Sequence, residues 1–324
     1  MKTCFIGGTG RCGTSILRTI LSRHSRVATL PIEHRLTVDP DGIFDFYRSY
    51  TTGWSPYYAD ARLTRLKNFL EELSSTNPVH KIFRYLFRAF RLAGISITPK
   101  KYLDVELSHF IPNYSEHVNT LLNELVEFEY TGERLGTGSY SFNNKIQYAP
   151  NYSKEQLKKI FQNFIHSFIQ DILTHNHKDC FIEDNTWNIL FSADLLDLIP
   201  NAKIISVIRD PRDVVASLSK QKWMPSNKAQ SAKIYNDLIV EWIEIRRNLD
   251  KQSWIEVRLE DVVLEPESQI RKICDFIELP WEDNLLEIDL SKSNSGRWKK
   301  DFSVEEQRSV IPLLAEHIKS FGYE

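Results

Sequence analysis

From Gly8 to Ser15 the chain reads Gly-Thr-Gly-Arg-Cys-Gly-Thr-Ser. Glycines let the backbone turn tightly and present successive N–H groups, and a helix starting at once adds free donors aimed at the same point. Thr14 and Ser15 bring hydroxyls, and Arg11 brings a directional positive fork. The chemistry this predicts is the binding of a phosphate-like anion. Gly8 and Gly13 have the separation of the nucleoside triphosphate motif G-x-x-x-x-G-K-[ST], but Thr14 stands where its lysine would reach the β- and γ-phosphates. An ATPase or GTPase reading thereby loses its main positive charge.

A second anion site is written between Lys203 and Ser217. Ile204, Ile205, Val207 and Ile208 form an apolar run expected of an interior strand, and Arg209 follows at its end, where open α/β sheets bind ligands. Asp210 is placed to cap the next helix, Pro211 suits its first position, and Asp213 can complete a reciprocal cap. Ser217 falls two turns in, where it can turn back toward the loop, so that Arg209 and Ser217 together could hold an isolated phosphate.

The elements that must position these residues follow from periodicity. Thr3 to Ile6 is a strand, Ser15 to Ser22 a helix with Ile16, Leu17, Ile20 and Leu21 on one face, and Val27 to Leu30 a second strand. Residues 39–178 change character: helices are expected near Arg62–Leu73, Lys81–Leu92, Ser115–Phe128 and Lys154–Leu173, with loops at Tyr47–Tyr58 and Gly132–Ser141. Helices at Trp187–Ile199, Asp210–Ser219, Ala229–Leu249, Glu267–Phe276 and Val304–Ile318 then alternate with strands at Lys203–Ile208 and Trp254–Arg258. Ser291–Lys300 reads as a basic loop. The expected fold class is α/β: one domain over residues 1–324, a P-loop-like, mostly parallel sheet flanked by helices. Residues 39–178 are a largely helical insertion that would form an acceptor pocket or lid.

These segments resemble the sulfotransferase family that uses 3′-phosphoadenosine 5′-phosphosulfate (PAPS) and releases its desulfated product PAP. Arg11, Gly13, Thr14 and Ser15 match the family's 5′-phosphosulfate loop, with Cys12 in place of a frequent serine. The run Arg209-Asp210-Pro211-Arg212-Asp213 with Ser217 resembles its 3′-phosphate region. Arg258-Leu259-Glu260-Asp261 and Ile273-Cys274-Asp275-Phe276 resemble scaffold segments, with Leu259 replacing a common tyrosine. Gly296-Arg297-Trp298-Lys299-Lys300 is similar to the late basic loop over the nucleotide. The resemblance implies that Arg11, Cys12, Gly13, Thr14, Ser15, Arg209, Ser217, Arg297, Trp298 and Lys299 bind the donor. Asp184-Asn185-Thr186-Trp187 departs from a Glu-Lys-Thr-Pro segment of several relatives at Asn185 and Trp187.

Sulfuryl transfer needs alignment of the attacking and leaving oxygens and stabilisation of leaving-group charge, supplied here by Arg11, Thr14, Ser15 and loop amides. It also needs a proton sink. Glu33 stands near the position where relatives with a carboxylate base carry one, and His34 is the second candidate. No metal is expected: His175, His177 and Asp179 lack a fixed fourth ligand.

The acceptor is left open among small-molecule, carbohydrate, lipid and peptide hydroxyls, with Tyr47, Tyr50, Trp54, Tyr57 and Tyr58 available either to stack on a ring or to pack a core. Lys and Arg number 41 against 43 Asp and Glu, which argues against a nucleic-acid partner. Four scattered cysteines fit a reduced compartment, and no apolar run approaches the roughly 18 residues of a membrane span. The expectation is a cytoplasmic protein without stable membrane insertion. Two other readings stay open: a kinase with an atypical phosphate loop, in which Asp184 would hold Mg²⁺, and a noncatalytic nucleotide-binding protein.

Overall fold

The computed structural model describes residues 1–74, 86, 102, 105–132, 145–290 and 294–323. The chain divides into two compact units, residues 1–29 with 178–324 and residues 30–177. The second unit thus begins nine residues before the expected insertion boundary at 39.

The first unit opens with β1 (Lys2–Gly8), whose buried Cys4, Phe5 and Ile6 suit a strand covered on both faces. After the glycine-rich loop, α1 (Thr14–Leu21) buries Leu17, Ile20 and Leu21, and β2 is only Val27–Ala28.

In the second unit, α2 (Ile43–Thr52) and α3 (Pro56–Ser74) take most of the expected Tyr47–Tyr58 loop. The reason is tertiary: Phe46 and Tyr50 stack at 5.0 Å, Tyr47 is buried, and the Tyr50 hydroxyl donates to the Pro150 carbonyl at 2.6 Å. These two tyrosines therefore pack a core, whereas Tyr57 and Tyr58 are exposed. Then come α4 (Tyr114–Leu125), a hairpin of β3 (Phe128–Thr131) and β4 (Lys145–Tyr148) that the helical periodicity did not signal, and α5 (Lys154–Asn176). A capping box between Ser153 and Gln156 starts α5, and His177 in the left-handed region ends it. The expected helix at Lys81–Leu92 and nearly all of the expected Gly132–Ser141 loop lie outside the described residues.

The first unit resumes with β5 (Cys180–Asp184), buried throughout, which sequence reading missed because its Glu183 and Asp184 break the apolar run. The expected Trp187–Ile199 helix is a 3₁₀ turn at Asn188–Phe191 followed by α6 (Ser192–Leu198). Next are β6 (Lys203–Ile208), α7 (Pro211–Leu218), α8 (Lys228–Arg247) and β7 (Trp254–Arg258). The unit closes with α9 (Leu259–Leu264), α10 (Pro266–Phe276), the short α11 (Trp298–Asp301) and α12 (Val304–Ser320).

Five strands form one parallel sheet in the order β2-β5-β1-β6-β7. The register sets Ile6 beside Asp184, Gly8 beside Val207 and Ile208 beside Arg258, so the carboxyl ends of four strands gather at one edge. Both segments read as anion sites leave the sheet from that edge. The α/β class, with a mostly parallel sheet flanked by helices, is the observed one. All four cysteines are free and buried.

Candidate functional site

The loop after β1 is built around close approaches. A Cβ at Gly8 would meet Cys12 Sγ at 2.2 Å and the Val207 carbonyl at 2.7 Å, and one at Gly13 would meet Leu259 at 2.7 Å. Gly10 and Gly13 have φ of 84° and 105°, and Arg11 itself sits at 58°, a left-handed turn that only glycines at its flanks let the chain make cheaply. Alternating turns of this kind form the concave amide cradles that take oxyanions.

Cys12 is fully buried. Burial pushes its thiol pKa up, while backbone hydrogen bonds from Gly10, Thr14, Thr9 and Cys12 itself pull it down. Burial outweighs them, so the thiol stays uncharged inside the loop. Any contribution of Cys12 to a ligand is limited to its backbone.

Arg11 reaches across to α7, where its Nε donates to the Ser217 hydroxyl at 3.1 Å. The Arg209 guanidinium, nearly buried, donates to the Arg11 carbonyl at 3.2 Å and to the Asn294 carbonyl at 2.8 Å. The two sequence segments therefore meet, although 206 residues separate Arg11 from Ser217.

Asp213 does not close the expected reciprocal cap. Asp210 caps α7 through the Arg212 N–H at 2.9 Å, but the Asp210 N–H is taken by Glu260 at 3.1 Å, leaving nothing for Asp213 to accept there. Instead Asp213, with no exposed surface, accepts the Gly296 N–H at 2.6 Å and the Trp298 N–H at 2.9 Å, and pairs with Arg209 at 3.5 Å. Burial pushes its pKa up against the pull of those amides and of Arg209. The late basic loop is thereby tied to the start of α7.

In that loop Arg297 pairs with Asp301 at 2.9 Å, and Lys220 pairs with the same carboxylate at 2.7 Å. The Trp298 ring has Arg212 at 4.5 Å and Lys299 at 5.8 Å from its centroid. Arg212 also grips Asp210 and the Tyr323 carbonyl, while the Tyr323 hydroxyl donates to Glu260 at 2.7 Å. Glu260 was read only as part of a scaffold segment and Tyr323 not at all, because nothing local marks a contact spanning 63 residues.

On the other flank of the loop, Asp184 at the end of β5 pairs with Arg18 at 2.6 Å and takes a hydrogen bond from Ser15, while burial raises its pKa. Asn185 accepts the Trp187 N–H at 3.0 Å and is buried, so it shapes the turn.

Glu33 and His34 belong to the second unit. Glu33 pairs with Arg35 at 3.0 Å, and Arg35 reaches Asp39 at 3.4 Å. His34 is buried, its Nδ1 accepts the Leu36 N–H at 3.1 Å, and its ring meets Phe168 edge-on at 5.7 Å. Burial pulls its pKa down to about 4. Among the described residues, no group of three or more His, Cys, Asp or Glu could hold a metal ion, and no helix is long and apolar enough to cross a membrane.

Comparison with known proteins adds a family. A family model described as the sulfotransferase family matches residues 106–283. Protein-tyrosine sulfotransferase A of Caenorhabditis elegans is 28% identical over 153 residues, covering 43% of this chain and 40% of that protein. The omega-hydroxy-beta-dihydromenaquinone-9 sulfotransferase Stf3 of Mycobacterium tuberculosis is 25% identical over 182 residues, covering 51% and 47%. The chain thus spans less than half the length of either relative. Among solved structures, the sulfotransferase domain of the Synechococcus PCC 7002 olefin synthase superposes with a TM-score of 0.48 at 14% identity, covering 99% of this chain and 94% of that one.

Proposed function

Because the chain belongs to the sulfotransferase family, we propose that it transfers a sulfuryl group from PAPS to an acceptor hydroxyl, leaving PAP. The observation that carries this reading is the meeting of Arg11, Ser217 and Arg209 through contacts of 3.1 and 3.2 Å, which joins two anion-binding segments at the carboxyl edge of a parallel sheet. Two separate positive centres suit a nucleotide with phosphate at both its 5′ and 3′ positions.

The donor supplies an activated sulfuryl group, whose sulfur–oxygen bond to the 5′-phosphate breaks as the acceptor oxygen bonds to sulfur. Arg11, Thr14, Ser15 and the backbone of Cys12 and Gly13 stabilise the charge that gathers on the departing phosphate. Arg209, Ser217, Arg297, Trp298 and Lys299 hold the 3′ end, with Asp213 keeping the late loop in place. Glu33 receives the acceptor proton. His34, buried and neutral with its Nδ1 committed to the Leu36 N–H, is the weaker candidate for the base. A hydroxyl acceptor is supported by the names of the two relatives, one a protein-tyrosine sulfotransferase and the other an omega-hydroxy-beta-dihydromenaquinone-9 sulfotransferase. The compartment proposed is the cytoplasm.

A kinase would need a Mg²⁺ carboxylate near a strand end. Asp184 has the position, but Arg18 already neutralises it at 2.6 Å, which disfavours that reading. Titration calorimetry with PAP, PAPS and ATP tests the donor: PAP and PAPS should bind more tightly than ATP by about tenfold or more, and equal or reversed affinities reject the assignment. Glu33→Gln should keep PAP affinity and lose turnover by about 100-fold or more. Wild-type rates would remove Glu33 as the base.

A further inference from the structure

Of the seven tryptophans, all within the described residues, only Trp223 is more than half exposed, at 54%. Leaving an indole in water forgoes a large apolar gain, and this one stands at the lip of the glycine-rich loop. A Cβ placed on Gly10 would lie 3.3 Å from Thr186 Cγ2, 3.4 Å from Trp223 Cη2 and 3.7 Å from Leu218 Cδ2. The half-buried Trp187 indole meets Trp223 at 6.5 Å between centroids with planes at 87°.

Both indoles are fixed by the site's own frame. The Asn185 carboxamide holds the Trp187 amide, and the turn carrying Trp223 is tied to the end of α7 by Gln221, whose side chain donates to the Ser217 carbonyl at 3.2 Å and whose N–H donates to the Leu218 carbonyl at 2.8 Å. Because Ser217 also accepts from Arg11, the exposed indole is positioned relative to the same arginine that faces the leaving group.

We propose that the exposed face of Trp223, flanked by Trp187, is the subsite for the flat ring of a phenolic acceptor. This rests on the donor reading above and extends it to the acceptor. A ring stacked on one indole is presented edge-on by the other, the pair of geometries aromatic rings prefer. The atoms nearest the Gly10 position on this side are apolar: the Thr186 methyl, the Trp223 ring and a Leu218 methyl. Adenine is the other flat ring available, and the dependence of PAP affinity on Trp223 separates the two. Trp187 follows β5, whereas Trp223 follows α7 on the β6 side of β1, so the two indoles approach the glycine-rich loop from opposite sides.

The test uses the full chain with PAPS and three acceptors: the phenols 4-nitrophenol and N-acetyltyrosinamide, and the saturated cyclohexanol. The phenols should exceed cyclohexanol by about tenfold in kcat/KM. Trp223→Ala should lower the phenol values by about tenfold, Trp223→Phe should restore most of the loss, and PAP affinity by calorimetry should stay within about twofold. An equal loss for phenols and cyclohexanol, or a fall in PAP affinity, overturns the proposal, the latter by making the Trp223 face an adenine site. If the wild-type chain binds no PAP, the donor reading fails instead. Quenching of indole fluorescence by 4-nitrophenol, taken as the difference between wild type and Trp223→Ala, still decides the subsite: no difference rejects it.

Discussion

Glu33 and His34 are neighbours in sequence with opposite physical situations. The Glu33 carboxylate is partly exposed and paired with Arg35, whereas His34 is buried against Phe168 with its Nδ1 committed to the Leu36 N–H. Desolvation holds the folded His34 pKa at about 4, against about 6.5 for an unfolded histidine. Between those values the unfolded chain binds the extra proton. The stability due to a neutral His34 is therefore fully present above about pH 6.5 and drains as pH falls toward 4, with about 2 kcal/mol lost by pH 5. His317, also lowered by burial, acts in the same direction from the first unit. Urea unfolding of the second unit should show a clear fall in midpoint between pH 7 and pH 5 in the wild type and a flatter dependence in His34→Gln. Identical slopes would show that His34 does not carry this linkage.

Among the elements, α7 concentrates the site: one eight-residue helix carries the cap Asp210, the tie Asp213 and the Arg11 partner Ser217. Asp213→Asn removes the charge facing Arg209 and leaves one acceptor oxygen for two amides. PAP affinity should fall about tenfold with little change in far-ultraviolet circular dichroism, a loss of about 1–3 kcal/mol from a buried charged hydrogen-bonding group. Unchanged affinity would mean the late loop needs no tie. The β6 and β7 bounds were fully legible in sequence, and the bounds of α7 to within a residue at each end, since an apolar run, a capping aspartate and a proline are local signals. The partners of Asp213 were not, because a capping residue and a long-range acceptor have the same sequence appearance until Glu260 takes the N–H that the cap required. β5 escaped notice for a related reason: Glu183 and Asp184 read as surface, yet in the interior Arg18 pairs with Asp184 and the Asn188 side chain donates to Glu183. Arg11, Arg209 and Ser217 could be read as one constellation because each follows a strand end or a helix phase.

For the whole molecule, the division into two units separates the proposed roles. Every contact described for Arg11, Arg209, Asp213, Ser217, Arg297 and Trp298 lies within residues 1–29 and 178–324, while Glu33 lies in residues 30–177. The chain leaves the first unit just after β2 and returns just before β5, and these strands are parallel neighbours with Val27 opposite Cys180. Thr29 and Lys178 are then offset by four residues along adjacent strands, about 14 Å, which a six-residue glycine-serine link can bridge. Replacing residues 30–177 by such a link should leave a chain that binds PAP within about tenfold of the wild-type affinity and transfers no sulfuryl group, because Glu33, the proposed proton acceptor, is gone. A folded product with native-like circular dichroism that fails to bind PAP would move part of the donor site into the removed segment. One that still turned over would move the base out of it.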